Sequence, residues 1–443
     1  MRLTLINQFY TPDISPTAHL CASLAEHRAA LGDNVTVLTS RAGYLSPVSQ
    51  SPEKSLVKVL RLWSTCFGSR SKLGRLMDWL TFYLPAAWAA ATMPRQDVII
   101  ALTTPPFIAM AGWLHKLIHP STRLILWNMD VYPEALERTK LIKPHGLAAG
   151  IMRAVNRLMF RRLDHLICLD HAMAELLLSQ YSPLSRSVAH SIIPNWEAAE
   201  LFPPPGLAAS QDSSGEADVR ESRSAPPARL DDSPLTPALS PEYRGEGAGA
   251  LADQLAGKFV ILYLGNAGFG HEFATMIQAA ERLRGEPAVF LFVGGGALRP
   301  WIAGQCAARR LSNILLSGYV PKSQTPEVMR RADCALITLE NDMLGVMSPS
   351  KLHANLAMGL PVIYVGPAGG NVDAAIARFG CGISLRPGQG DELAAFIRSL
   401  MSDPARASEL KKLAREAFKQ AYCDVQTLPQ FDRVLSDGVR AGV

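Results

Sequence analysis

Short runs of Val, Ile and Leu alternate with helical runs along nearly the whole chain, and the series occurs twice. In the first half RLTLIN (2–7), NVTVLTS (34–40), LVKVLRLW (56–63), DVIIALT (97–103), RLILWNM (123–129) and HLICLD (165–170) read as strands. Between the first two, Leu20, Leu24, Arg28 and Leu31 fall at helical spacing; Ser15 or Thr17 can cap that helix, and Gly32-Asp33 ends it. A strand–helix–strand unit needs a crossover, so the strands pair in parallel and the crossover is right-handed. The near-continuous apolar content means both sheet faces are covered. The second half repeats the plan with FVILYLG (259–265), AVFLFVG (288–294), NILLSGY (313–319), CALITL (334–339) and PVIYVG (361–366). Phe273, Met276, Ile277, Ala280 and Leu283 share one helix face there. The expected fold class is α/β, with two Rossmann-like, doubly wound domains in series.

Residues 203–256 interrupt this order. They are rich in Pro, Ser, Gly and mixed charge, with almost no core residues. Such a segment buries too little apolar area to offset the entropy of ordering, and the expectation is disorder. Its phrase PLTPALSPEYRGEG resembles the translation of dispersed bacterial DNA repeats. That favours a functionless insertion at an exposed joint; a regulatory linker is the rival reading. The expected domains are therefore 1–202, an insertion over 203–256, 257–425, and a C-terminal helix over 426–443 placed to cross back to the first domain.

The net charge of +5 suits an anionic small ligand or an anionic membrane face and is too small to argue for nucleic acid. The seven cysteines are scattered, without a CxxC pair, which reads as reduced thiols. MRLTLINQFY reads as a strand and not as a leader, so the expectation is a cytoplasmic protein, with attachment to the inner face of the plasma membrane as a candidate. Residues 73–93 approach a membrane span in length, but Arg75, Asp78 and Pro85 interrupt them, and Arg70 and Lys72 precede them. Two readings stand: a buried core helix pair, slightly favoured, or a helix lying in a bilayer surface. Residues 150–167 are likewise basic and amphipathic.

Four strand-to-helix turns of the second half are aimed at one place, because ligands of doubly wound sheets sit beyond the carboxyl ends of the strands. One holds Gly265, Asn266, Gly268, Gly270 and His271. A second is Gly294-Gly295-Gly296, whose backbone can face an anion unobstructed. A third follows Tyr319-Val320. The fourth is Ser348-Pro349-Ser350-Lys351, opening a helix. Unpaired N–H groups and the dipole put partial positive charge at that helix start, Ser348 or Ser350 can cap it or bond an anion, and Lys351 adds a full charge. Together they suit a diphosphate. The competing reading is a capped helix with a solvated lysine. Neither glycine cluster is G-x-G-x-x-G, and no G-x-x-x-x-G-K-[ST] occurs, which argues against a dinucleotide enzyme or an NTPase.

SPSKLHANLAMGLPVIYVG resembles the donor-site segment of GT-B glycosyltransferases of the large retaining family four. YLGNAGFGHEF, FLFVGGGALRPWI, LLSGYVPKSQTPEVMRRAD and ISLRPGQGDELAAFIRSL match that family's C-terminal domain in order. INQFYTPDISPTAHL and LILWNMDVYPEAL resemble the acceptor-side domain of members acting on bacterial cell-surface polysaccharides. The resemblance implies two domains facing across a cleft. It implies transfer of a sugar from a UDP- or GDP-sugar to a lipid-linked or polysaccharide-precursor hydroxyl, with retention and without cofactor or bound metal. It implies that Lys351, Ser348, Ser350, Gly265 and Asn266 meet the diphosphate and that His271 lies by the diphosphate or the sugar. Gly294, Gly295 and Gly296 would approach the nucleoside, the backbone at Tyr319-Val320 its base, and Gly369, Gly370 and Asn371 the sugar. Asp130 is the candidate for binding or polarising the acceptor hydroxyl, with Glu134 as alternate; a helix cap or turn is an equally weighted reading of Asp130. The paired glutamates of many members correspond here to Val346 and Ala354, and the usual Arg and Lys after the first donor-domain strand to Asn266 and His271. A sugar-nucleotide epimerase and a silent nucleotide-sugar-binding subunit are the alternatives.

Overall fold

The computed structural model describes residues 1–13, 15–42, 56–67, 72–199, 254–320 and 324–440. The expected 203–256 insertion lies outside them apart from residues 254–256. Two all-parallel sheets carry the chain. The first contains β1 (Arg2–Ile6), β2 (Asn34–Ser40), β3 (Lys58–Leu62), β4 (Val98–Ala101), β5 (Arg123–Trp127), β6 (His165–Cys168) and β7 (Ala189–Ile192), in the order β3-β2-β1-β4-β5-β6-β7. The second contains β8 (Phe259–Leu264), β9 (Ala288–Val293), β10 (Ile314–Ser317), β11 (Cys334–Thr338), β12 (Val362–Val365) and β13 (Gly382–Leu385), in the order β10-β9-β8-β11-β12-β13.

The strand order reverses beside β1 and beside β8. There Leu5 pairs with Val37 on one side and Ile100 on the other, and Ile261 with Phe290 and Cys334. Crossovers leave each reversal point in opposite directions, so a crevice opens above the strand ends. The inner strands are the fully buried apolar runs that the sequence marks. The edge strands β7 (AHSI) and β13 (GISL) carry no such run; they exist because a neighbouring strand offers its open edge.

The first core is closed by the end of the chain. Helix Asp424–Arg440 lies on the first sheet, where Phe431 meets the Trp127 ring edge-on at 4.6 Å and Trp127 stacks on Trp196 at 5.5 Å. Asp432 takes Arg28 at 2.7 Å and His27 at 3.0 Å, and Arg123 donates to the carbonyls of Val434 and Leu435. The second core centres on Tyr263, which stacks on Phe292 at 5.0 Å and meets Phe273 edge-on.

Residues Lys72–Thr92 form one helix with Pro85 inside it, not a core helix pair. Its Phe82, Ala86 and Ala90 are buried, whereas Leu84 and Trp88 face outward. Proline removes a single hydrogen bond, and the packing of the inner face over five turns outweighs that loss.

A seam joins the lobes beside the crevices. Val131 N–H donates to the Val346 carbonyl at 2.9 Å, and Asp130 and Met347 form an antiparallel bridge. Arg138 donates to the carbonyls of Asp342 and Leu344. Gly345 (φ +72°) packs so closely on the Ala172 carbonyl that a Cβ would come within 2.7 Å of it.

Candidate active site

Between the two crevices lies a cavity of about 270 Å³. Pro16, Thr17, Asp130 and Asn195 line it from the first lobe, and His271, Ser348, Ser350 and Lys351 from the second. The structure therefore brings together five residues singled out in the sequence: Asp130, His271, Ser348, Ser350 and Lys351.

Lys351 opens a helix of seven residues, Lys351–Ala357. Ser350 precedes it without a side-chain cap bond. So short a helix has little macrodipole, and the charge at this place is chiefly the lysine's own. The Lys351 stem crosses Gly265, whose Cβ would lie 2.9 Å from the lysine Cε, and its Nζ sits 4.9 Å from the Tyr263 ring centroid. The backbone conformation at 265, φ +128°, favours glycine, and the missing Cβ leaves the lysine stem its path. Lys351 makes no salt bridge among the described residues. Burial without a counter-charge lowers its pKa to about 8.

His271 sits opposite. Its Nδ1 lies 2.7 Å from the Thr338 carbonyl. A carbonyl only accepts, so Nδ1 carries the hydrogen and Nε2 keeps a lone pair. Burial, reinforced by Lys351, lowers the imidazole pKa to about 3. The ring is therefore neutral at ordinary pH: an acceptor, not a second cation for a diphosphate.

Asp130 follows β5. Thr103 Oγ1 accepts from the backbone N–H groups of Met129 at 3.1 Å and Asp130 at 3.4 Å, fixing the strand end. Burial raises the Asp130 carboxyl to about 6. Asn195 presents a buried Oδ1 that has no hydrogen-bond partner among the described residues.

The glycine turns form a second group beside the cavity. A Cβ on Gly294 would meet the Gly265 carbonyl at 2.2 Å, one on Gly296 the Ala267 carbonyl at 2.4 Å, and one on Gly295 the Tyr319 ring at 2.8 Å. The glycine identities are thus first explained by one turn packing on another. Tyr319 is exposed and its hydroxyl lies 3.2 Å from Asn266 Oδ1; Val320 packs on the core. Gly369, Gly370 and Asn371 open the helix Asn371–Phe379, where Gly369 N–H donates to Asp373.

Asp170 was not singled out in the sequence. It caps its own helix, accepting from Met173 N–H at 2.8 Å. Asn371 and Ser348 of the second lobe lie near enough to favour its charged form, while burial raises its pKa. One carboxylate of the first lobe thus lies near two turns of the second. LICLDHAM shows a cap residue; nothing in the sequence shows what lies across the gap. Glu134, the alternate for the acceptor side, is corrected: it is buried, accepting from the Tyr181 hydroxyl at 2.8 Å with Arg153 at 3.4 Å. Val346, at the place of one paired glutamate, is wholly buried, and Ala354, at the other, is partly buried.

The family described as Glycosyl transferase 4-like domain matches residues 17–196, and that described as Glycosyl transferases group 1 matches residues 253–418. The probable glycosyltransferase WbjE of Pseudomonas aeruginosa is 23% identical over 338 residues, 76% of this chain and 74% of that protein. The putative colanic acid biosynthesis glycosyl transferase WcaI of Escherichia coli is 28% identical over 175 residues, 39% of this chain and 42% of that one. The crystal structure of Anabaena HepE in complex with UDP-glucose superposes with a TM-score of 0.64 at 15% identity, covering 99% of this chain and 100% of that one. With one matched domain on each side of the lysine-bearing cavity, the chain belongs to the glycosyltransferases of GT-B fold.

Proposed function

We propose that the chain moves a sugar from a nucleoside diphosphate sugar, UDP favoured over GDP, to a hydroxyl of a lipid-linked or polysaccharide-precursor acceptor, with retention. The observation that carries this is the cation Lys351, which forms no salt bridge among the described residues, is held over Gly265 and lines one cavity with Asp130. Breaking the bond between sugar and diphosphate leaves negative charge on the departing oxygen. A cation that no protein carboxylate neutralises stabilises that charge more in the transition state than in the ground state. Lys351 takes the diphosphate, with Ser348 and Ser350 donating beside it. Gly265 and Asn266 approach the same group from the neighbouring turn. Gly294, Gly295 and Gly296, with the Tyr319-Val320 backbone, take the nucleoside, and Gly369, Gly370 and Asn371 lie by the sugar. His271 accepts a sugar hydroxyl through Nε2. Asp130 accepts the proton side of the acceptor hydroxyl and orients its lone pair toward the anomeric carbon. HepE's complexes with UDP and UDP-glucose support the choice of base, and WcaI's name supports a polysaccharide precursor.

The test is a screen of UDP- and GDP-sugars with the purified full chain, with and without bacterial membrane extract. The expected result is nucleoside diphosphate release that depends on extract, with the anomeric configuration of the donor kept in the product. Release of free or epimerised sugar that is indifferent to extract would replace transfer by epimerisation. Absence of binding to any nucleotide would remove the donor site.

A further inference from the structure

The helical layer on one face of the first sheet has an outer surface that the transfer chemistry does not use. In helix Lys72–Thr92, Phe82, Ala86 and Ala90 point into the core. Leu80, Leu84 and Trp88 are 49%, 77% and 73% exposed, and Leu76 continues the stripe. Both series step by four residues and are offset by two, which is roughly 200° around the helix, so they lie on opposite sides. The helix is apolar on both faces, but only one face has a partner among the described residues.

The surface continues sideways. Helix Ala109–Ile118 packs alongside, with His115 Nδ1 2.6 Å from the Ala90 carbonyl, and it exposes Leu117 and Ile118. The next helix, Leu147–Phe160, exposes Ile151 and Arg157; Arg161 and Arg162 follow its end, also exposed. None of these three arginines forms a salt bridge among the described residues. At the upper rim Trp63 and Phe67 are exposed, with the Phe67 N–H tied to Asp78 at 2.9 Å.

An apolar area of this extent, with large aromatic rings at its margin and free cations along one side, has the chemistry of an amphipathic surface lying in a lipid headgroup region. No helix among the described residues is long and apolar enough to cross a membrane, so any contact is in the plane. We propose that this face, centred on Leu80, Leu84 and Trp88, rests on an anionic bilayer, with Arg157, Arg161 and Arg162 on lipid phosphates. The proposal rests on the reading of a lipid-linked acceptor and extends it. The rim segment also reaches toward the cavity: Arg61, two residues before Trp63, donates to the Thr11 carbonyl at 2.6 Å, in the stretch that leads to Pro16 and Thr17.

The experiment is sedimentation of the full chain with vesicles of phosphatidylcholine alone and of phosphatidylcholine with about one third phosphatidylglycerol. UDP binding is measured on the same samples. The expected result is binding to the mixed vesicles that weakens with salt. The double variant Leu84→Glu/Trp88→Glu should reduce partitioning at least about tenfold. The triple variant Arg157→Gln/Arg161→Gln/Arg162→Gln should reduce it about a hundredfold on anionic vesicles only. UDP binding should be unchanged in both. Wild-type protein that binds UDP but neither vesicle overturns the proposal. So does concentration-dependent self-association that Leu84→Glu abolishes, which would assign the face to a second copy. Vesicle binding without UDP binding would leave this inference standing and remove the donor reading instead.

Discussion

The two sheets have the same construction, yet their carboxyl edges carry opposite chemistry. Beyond β8 and β9 the chain turns through glycines, and the charge that reaches the cavity is the cation of Lys351. Beyond β5 and β6 it turns through Asp130 and Asp170, with hydroxyl and amide groups from Thr17 and Asn195. On the reading proposed above, one lobe takes an anion and the other a hydroxyl group. The architecture does not decide between them; the residues after each strand do. The seam at Val131 and Val346 then sets the two edges against each other.

Removing the cation should have the largest effect. Lys351→Ala is expected to lower turnover about a thousandfold and weaken UDP binding, while the thermal unfolding curve stays in place. Calorimetry and circular dichroism on one preparation check both parts. Removing the carboxylate tests the other lobe. Asp130→Asn is expected to lower turnover about a hundredfold with UDP affinity unchanged, and a matched loss of UDP affinity would erase the division of labour. Gly294→Ala asks whether the glycine turns are structural first: a Cβ 2.2 Å from the Gly265 carbonyl should cost ~2–3 kcal/mol in urea unfolding.

The pH dependence separates the lobes more gently. In the proposed mechanism Asp130 acts as a carboxylate and must lose a proton that burial holds to about 6, and Lys351 must keep one that burial loosens at about 8. The transfer rate per unit of limiting substrate should rise through the first value and fall through the second, about tenfold per pH unit on each limb. Lys351→Arg should carry the alkaline limb upward, because guanidinium stays charged. The smallest effect is expected from deleting residues 206–250, which should leave activity unchanged in the same assay.

The inner strands were legible because burial on both faces forces continuous apolar runs. β7 and β13 were not, since AHSI and GISL pair at an edge and need no such run. On the donor side the SPSK turn was legible, because its residue types state their chemistry locally. The surroundings of Asp170 were not: Ser348 and Asn371 lie in the other lobe, and only tertiary closure makes them its neighbours. Glu134 shows the converse, a carboxylate well placed in sequence that Tyr181 and Arg153 take into the interior. Pro85 promised a break that packing overrode.

Helix Asp424–Arg440 belongs by sequence to the second lobe and by packing to the first, through Phe431 on Trp127 and Trp196. During synthesis the first lobe emerges early but lacks that cover until residues 424–440 leave the ribosome. Its assembly therefore finishes after the second lobe has formed, and a chain stopped short of residue 424 would carry its tryptophans bare.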